Sequence, residues 1–346
     1  MKIISKTKLL LLFTNHRVAE KLWPIIPKLS KQYKLDLFLI GLMSNETPWV
    51  GDIDERVVMI SKYKKYINTI INGPGVKFHG DNITTPLDSY VNIKEYSAVI
   101  FDDNRKKSEF NIPNFYNICK QNKIVVIGNS HGNEDTPNDA TNISYDYKMD
   151  FQSGGIPAND TLKNIKRNNK HILIICNFLG NRFSPYDINF NKDFVNKSGM
   201  IELSKHYNLP IVVKIKTRLD NPNYEDSIKY VKNLLDCTVV ANTNNIDQLI
   251  ANSAFVISAP STLAFKPIQL GIPTILIKGS GAIGCYKNYP GLVNLNYEEI
   301  INSLTDQIDT GKYAKFLDLS IPGGSNFTSI DIYIKKIKEY IHENNI

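Results

Sequence analysis

The strongest constraint on this chain is an alternation. Short apolar runs of strand length recur along most of its 346 residues, separated by stretches with helical periodicity. Lys8 to Thr14, Leu35 to Leu42, Val57 to Ile60, Ala98 to Phe101 and Ile124 to Ile127 read as strands in the first half. His171 to Cys176, Ile211 to Ile215, Thr238 to Val240, Phe255 to Ser258 and Thr274 to Ile277 read as strands in the second. Strands that are apolar on both faces and separated by helices must be covered on both sides, which specifies parallel, doubly wound sheets. Between the two series the chain turns polar, from Asn159 to Asn169. The expected organisation is an N-terminal Rossmann-like domain over 1–165, a C-terminal one over 166–328, and a last helix over 329–346. That helix follows the breaker Pro322-Gly323-Gly324 and shows Ile330, Ile334, Ile337 and Ile341 at helical spacing, so it could pack back on the N-terminal domain. A segment from Val18 to Tyr33 also reads as helix, interrupted by Pro24 and Pro27.

Bulk composition narrows the function classes. The chain is 42% hydrophobic and 22% charged, the usual balance for a globular protein. A net charge of +7 suits a phosphorylated substrate and permits, without requiring, a nucleic-acid partner. No apolar run approaches the roughly 18 residues needed to span a membrane. The segment Leu9 to Phe13 is too short for a secretory leader, so a cytoplasmic protein is expected. Cys119, Cys176, Cys237 and Cys285 lie far apart without a C-x-x-C pair and read as buried thiols.

The richest functional signal runs from Asn244 to Tyr286. An apolar strand, Ala254 to Ser258, leads into the tight loop Ala259-Pro260-Ser261-Thr262. A helix with apolar positions Leu263, Phe265, Ile268 and Leu270 follows and ends at Gly271. This order puts Ser261 and Thr262 at a helix start beyond the carboxyl end of a parallel strand. Backbone N–H groups there lack partners and the helix dipole favours an anion, so both residues are candidate donor-phosphate ligands. Lys214, Lys216 and Arg218 alternate along one face of a strand end and are candidate phosphate contacts, as is Arg182 after Gly180 in the first loop of the second half. Gly279-x-Gly281-x-x-Gly284 has the spacing of a dinucleotide loop but lacks the acidic residue that should follow, so Gly281 is read as part of a donor-side loop. In the first half, Asn15, His16 and Arg17 end the first strand, and Trp49 could offer an exposed platform; these are candidate acceptor contacts. Asp102 and Asp103 follow the strand Ala98–Phe101 and could supply a base or equally a turn cap. His131 follows another strand, and histidine as a residue type, with its ordinary pKa near neutrality, suits deprotonation of an acceptor hydroxyl. No metal site is expected.

Three short segments carry a family resemblance. Gly154-Gly155-Ile156-Pro157-Ala158-Asn159-Asp160-Thr161-Leu162 resembles the G-x-P-R-N-D-x-L segment that links the two domains of CDP-glycerol glycerophosphotransferases and related capsule and teichoic-acid enzymes, with Ala158 at the arginine position. Asn129-Ser130-His131-Gly132 resembles their H-G motif, whose histidine is the proposed base. Ser258-Ala259-Pro260-Ser261-Thr262 resembles the loop that holds donor phosphates. The likeness spans Ile124 to Tyr289, and two Rossmann-like halves facing across a cleft resemble the GT-B glycosyltransferase architecture. Two positions depart from the pattern. The family's lysine-x-histidine-proline is here Lys214-Ile215-Lys216-Thr217, and Lys266 stands where many such enzymes hold the donor ribose with a glutamate.

The resemblance implies a glycosyltransferase that moves a sugar from a UDP- or CDP-linked donor to the hydroxyl of a glycan or polysaccharide, with the nucleotide sugar as co-substrate and no bound cofactor. Other readings stay open: a phage-type DNA glycosyltransferase acting on hydroxymethylated pyrimidines, a polyol-phosphate transferase, a nucleotide-sugar epimerase, or a non-catalytic nucleotide-sugar-binding protein.

Overall fold

The computed structural model describes residues 7–14, 19–41, 43–44, 53–75, 87–102, 115–129, 146–149, 151–176, 199–215, 224–240, 245–258, 262–277, 293–295 and 308–343. They divide into two compact units: Met1–Asp160 with Ile321–Gly323 and Thr328–Ile346, and Thr161–Ser320 with Gly324–Phe327. The polypeptide therefore passes between the units near Asp160 and again over 320–328.

The first unit holds strands β1 (Lys8–Phe13), β2 (Lys34–Gly41), β3 (Thr69–Gly75), β4 (Ala98–Phe101), β5 (Val125–Asn129) and β6 (Tyr147–Met149). Its helices are α1 (Ile26–Leu29), α2 (Ile53–Tyr63), α3 (Phe115–Gln121) and the short α4 (Phe151–Gly154). The second unit holds β7 (His171–Ile175), α5 (Met200–Tyr207), β8 (Ile211–Lys214), α6 (Tyr224–Leu235), β9 (Thr238–Val240) and α7 (Ile246–Ala251). It continues with β10 (Ser253–Ser258), α8 (Phe265–Gln269), β11 (Thr274–Ile277), β12 (Val293–Leu295) and α9 (Tyr313–Ser320). The last helix, α10 (Ser329–Glu343), belongs to the first unit.

Both sheets are six-stranded, with orders β3-β2-β1-β4-β5-β6 and β12-β11-β10-β7-β8-β9, and all their pairings are parallel. Numbered within its own half, each sheet has the order 3-2-1-4-5-6. Each therefore has one switch point, β1/β4 in the first and β7/β10 in the second, where crossovers depart to opposite faces and leave a crevice at the carboxyl ends. The fold is α/β, with two Rossmann-like domains of the GT-B type.

Strand β1 shows why the first sheet is buried on both faces. Leu9, Leu11 and Phe13 point to the side covered by α1, α2 and α10, while Leu10 and Leu12 point to the side covered by α3. Trp23, in a 3-10 turn that runs into α1, packs edge-on to Phe13 at 4.9 Å and stacks on Tyr63 at 5.3 Å. Pro24 and Pro27 stand at the starts of these two short helical pieces, where their missing N–H groups cost nothing.

The structure corrects one expected element. Val57 to Ile60 is not a strand but part of α2. Val57 and Val58 are 54% and 62% exposed, whereas Arg56 and Tyr63 are buried and Met59 and Ile60 pack on the core. Spacings of three and four residues make one helical face, and that packing overrides the β preference of two adjacent valines. Three strands absent from the sequence reading, β3, β6 and β12, are all at sheet edges.

Candidate functional site

The carboxyl edge of the first sheet is polar and tightly bonded. Register places Leu12, Phe101 and Gly128 in one row across β1, β4 and β5. The next row carries Phe13, Asp102 and Asn129, all buried. The Asp102 carboxylate accepts the Thr14 backbone N–H at 2.8 Å and the Thr14 hydroxyl at 2.9 Å, and its own N–H donates to the Leu12 carbonyl at 3.2 Å. It ties the two strand ends on either side of the β1/β4 switch point. The tie is a long-range one, to Thr14 at the end of β1, and not a cap of the turn that follows Asp102.

Asn129 makes the equivalent tie between β5 and β4. Its amide donates to the Phe101 carbonyl at 2.6 Å, and its carbonyl oxygen accepts the hydroxyl of Tyr333 from α10. Burial raises the Tyr333 hydroxyl well above its ordinary pKa, so it remains a donor at any working pH. The chain leaves this edge from β1 toward Asn15, His16 and Arg17, from β4 toward Asp103, and from β5 toward His131. Those residues, and Trp49, lie outside the described residues.

In the second unit the corresponding edge lies at β7/β10. Ser258, Ile175 and Lys214 share one row across β10, β7 and β8. Ser258 is fully buried and Cys176, just past β7, nearly so. The backbone N–H of Cys176 donates to the Lys214 carbonyl at 2.9 Å, and the Lys214 ammonium bonds the Ile215 carbonyl. After β10 the chain re-enters the described part at Thr262, which is exposed and opens a 3-10 turn, Thr262–Ala264, continuous with α8. Among the expected donor contacts, Thr262 and Lys214 are thus found at the carboxyl edge, on either side of β7. Ser261, Gly180, Arg182, Lys216, Arg218 and Gly281 lie outside the described residues.

Lys266 is placed otherwise than expected. It is buried in α8, 8% exposed, and its ammonium is ion-paired with Asp247 of α7. That pair fastens two helices together. His171 lies at the amino end of β7, the opposite end from the row of Ser258, Ile175 and Lys214. Burial lowers its pKa against a hydrogen bond with the Leu249 carbonyl that raises it. Among the described residues no group of three or more His, Cys, Asp or Glu is arranged to hold a metal ion. No helix among them is long and apolar enough to cross a membrane.

Pattern reading of the sequence missed Thr14 and Tyr333. Neither carries a motif, and each reaches its partner over a long separation, 88 residues for Thr14–Asp102 and 204 for Tyr333–Asn129.

Comparison with known proteins places the fold. No protein-family model and no curated protein matches the chain. Solved structures do. The UDP-GlcNAc 2-epimerase of Neisseria meningitidis, solved bound to UDP-GlcNAc, superposes with a TM-score of 0.60 at 16% identity over 97% of this chain and 100% of its own. A glycosyltransferase of Rickettsia africae gives 0.56 at 11% identity over 98% and 99%. The wall teichoic acid polymerase TagF gives 0.51 at 15% identity over 98% and 90%. At such identities the likeness is one of fold.

Proposed function

We propose that this chain is a nucleotide-sugar enzyme, and specifically a transferase that moves a glycosyl group from a UDP- or CDP-linked donor to an acceptor hydroxyl. The observation that carries this reading is the second unit's switch point, where an exposed helical start at Thr262 follows β10 and Lys214 ends β8 two strands away. Crevices of this kind receive phosphates in doubly wound sheets. The solved proteins of the same fold include one described with UDP-GlcNAc and one described as a glycosyltransferase.

In this proposal the diphosphate lies against Ser261, Thr262 and the N–H groups that begin the 262–269 helical segment. The acceptor oxygen attacks the anomeric carbon as the bond from that carbon to the diphosphate oxygen breaks. The leaving diphosphate gathers negative charge, which the N–H groups and the cations Lys214, Lys216, Arg218 and Arg182 offset. His131 takes the acceptor proton. Gly180 and Gly281 belong to the donor loops. Asn15, His16, Arg17 and Trp49 hold the acceptor, a glycan or polysaccharide, and Asp103 is the alternative base. Lys266 is left out because Asp247 holds it.

A 2-epimerase is the second reading, and the TM-score of 0.60 with one such enzyme favours it. One experiment separates the two. The protein is screened by thermal shift against UDP-, CDP-, GDP-, ADP- and dTDP-linked donors, then incubated with the donor that binds. Release of free nucleotide that depends on an added acceptor supports transfer, and interconversion of the donor with no acceptor supports epimerisation. Ser261→Ala with Thr262→Ala should weaken donor binding by about 1–3 kcal/mol. Unchanged affinity by calorimetry would remove the phosphate site from this loop.

A further inference from the structure

The Gly154–Asp160 segment, one of the three that carry the sequence resemblance, has no part in the chemistry proposed above. Its contacts show what it does instead: it wraps the first two turns of α10. Gly154 lies so close to the Tyr333 ring that a Cβ there would come within 3.0 Å of it. Gly155, at φ +71°, leaves no room for a Cβ, which would sit 2.5 Å from both the Pro322 carbonyl and the Ser329 hydroxyl. The Asp160 carboxylate accepts the N–H of Ser329 at 3.2 Å and of Ile330 at 2.8 Å, capping the helix. The Ser329 hydroxyl donates to the Pro322 carbonyl at 3.1 Å. One turn further on, Tyr333 donates to Asn129 at the carboxyl end of β5, and Asn129 donates to Phe101 at the end of β4.

Tyr333 and Asn129 are 3% and 4% exposed, where the aliphatic and aromatic core under α10 meets the polar strand ends that carry Asp102 and Thr14. A phenylalanine and a leucine would fill the same space without the cost of dehydrating a hydroxyl and an amide. What the polar pair adds is direction. Two opposed hydrogen bonds, one given and one received, fix the Asn129 side chain, and Asn129 is the last residue of β5 before Ser130-His131-Gly132.

We propose that Tyr333 and Asn129 are positioning residues. They set the point and direction at which the chain leaves β5 for His131, and the 154–160 segment holds Tyr333 in place through α10. The proposal rests on the reading of His131 as the base, and its test is built to fail separately from that reading.

The test uses the full chain carrying Tyr333→Phe, which removes one hydroxyl and keeps the ring. The six histidines give resolvable ring 1H–13C cross-peaks, and His131→Gln identifies the His131 peak by its loss. The expected result is a moved His131 peak with the His171 and His206 peaks unmoved. A merely structural hydroxyl would lower the unfolding midpoint and leave the His131 peak where it is, which would overturn the proposal, as would movement of every peak together. With UDP-GlcNAc as probe and nucleotide release as readout, kcat should fall about tenfold, the worth of one directed hydrogen bond, with KM for the donor unchanged. A moved peak with unchanged kcat overturns the positioning of a base. No release by the wild-type protein from any donor overturns the transferase reading, and the resonance comparison then decides the proposal alone. If Tyr333→Phe does not fold, Asp160→Asn, which weakens the cap of the same helix, should move the His131 peak in the same selective way. An unmoved peak there overturns the proposal.

Discussion

Substituting alanine for two glycines isolates the tight packing of the 154–160 segment. Gly155 and Gly271 both have positive φ, +71° and +65°, so alanine at either is forced into the left-handed region. That costs roughly 1–2 kcal/mol, offset by about 0.4–1 kcal/mol from the lower entropy of the unfolded chain. At Gly271 little else changes, because the nearest atom a Cβ meets is the Arg167 guanidinium at 3.9 Å. Gly271→Ala should therefore destabilise by about 1 kcal/mol or less. At Gly155 the same Cβ sits 2.5 Å from the Pro322 carbonyl and from the Ser329 hydroxyl, which are bonded to each other and cannot both withdraw. An overlap of that kind adds about 1–3 kcal/mol, for a total of roughly 2–4 kcal/mol. In units of this size that is a fall of about 5–15 °C in the unfolding midpoint, against at most a few degrees for Gly271→Ala. Differential scanning calorimetry of the three proteins side by side measures both. Equal small shifts would refute the argument, because they would mean that the segment around Pro322 and Ser329 yields without cost.

Asp102→Asn should lower stability by about 1–2 kcal/mol, because the amide keeps one acceptor for the Thr14 N–H and loses the charge; nucleotide release should stay within a few-fold of wild type, and a loss of 100-fold or more at unchanged melting temperature would show that Asp102 is the base after all. Lys266→Met should leave donor-induced thermal stabilisation intact, whereas Asp247→Ala should cost about 3 kcal/mol by stranding a buried ammonium; loss of donor stabilisation in Lys266→Met would return Lys266 to the site. Acid unfolding should follow Asp36 and Asp146. Burial by itself would raise each carboxyl, but hydrogen bonds from Lys8, Asn68 and Tyr96 at Asp36, and from Lys120, Val126 and Tyr116 at Asp146, hold both below the usual value. A depressed folded pKa contributes stability that is present above the unfolded value, near 4, and is lost as pH falls through the folded one. Urea midpoints should therefore be flat from pH 7 to about 5 and fall below about 4, with Asp36→Asn reducing the acid-sensitive part; a midpoint insensitive to pH down to 3 would refute this.

How much was legible in the sequence depended on whether a feature repeats along the chain or joins distant parts of it. The central strands β1, β2, β4, β5, β7, β8, β10 and β11 were legible because burial on both faces demands continuous apolar runs. The Ser329–Glu343 helix was legible because one stripe at helical spacing faces the core. Of the edge strands only β9 was legible; β3, β6 and β12 were not, and β3 even carries Pro74, which only an edge tolerates. The helical start after β10 followed from local order, an apolar strand, a tight loop and the spacing of Leu263, Phe265 and Ile268. The partners of Asp102 and Lys266 did not, because Thr14 and Asp247 come near them only on folding. The sequence by itself determined the alternation of strand and helix, the doubly wound class and the loops that could bind phosphate, because these follow from burial periodicity and local turn chemistry. The tertiary structure decided the repeated 3-2-1-4-5-6 strand order, the ties at the carboxyl edge of the first sheet and the wrapping of the last helix by residues 154–160. Hydrogen bonds that close loops of 88 to 204 residues leave no periodic trace in a chain, and become visible only when the fold has brought their ends together.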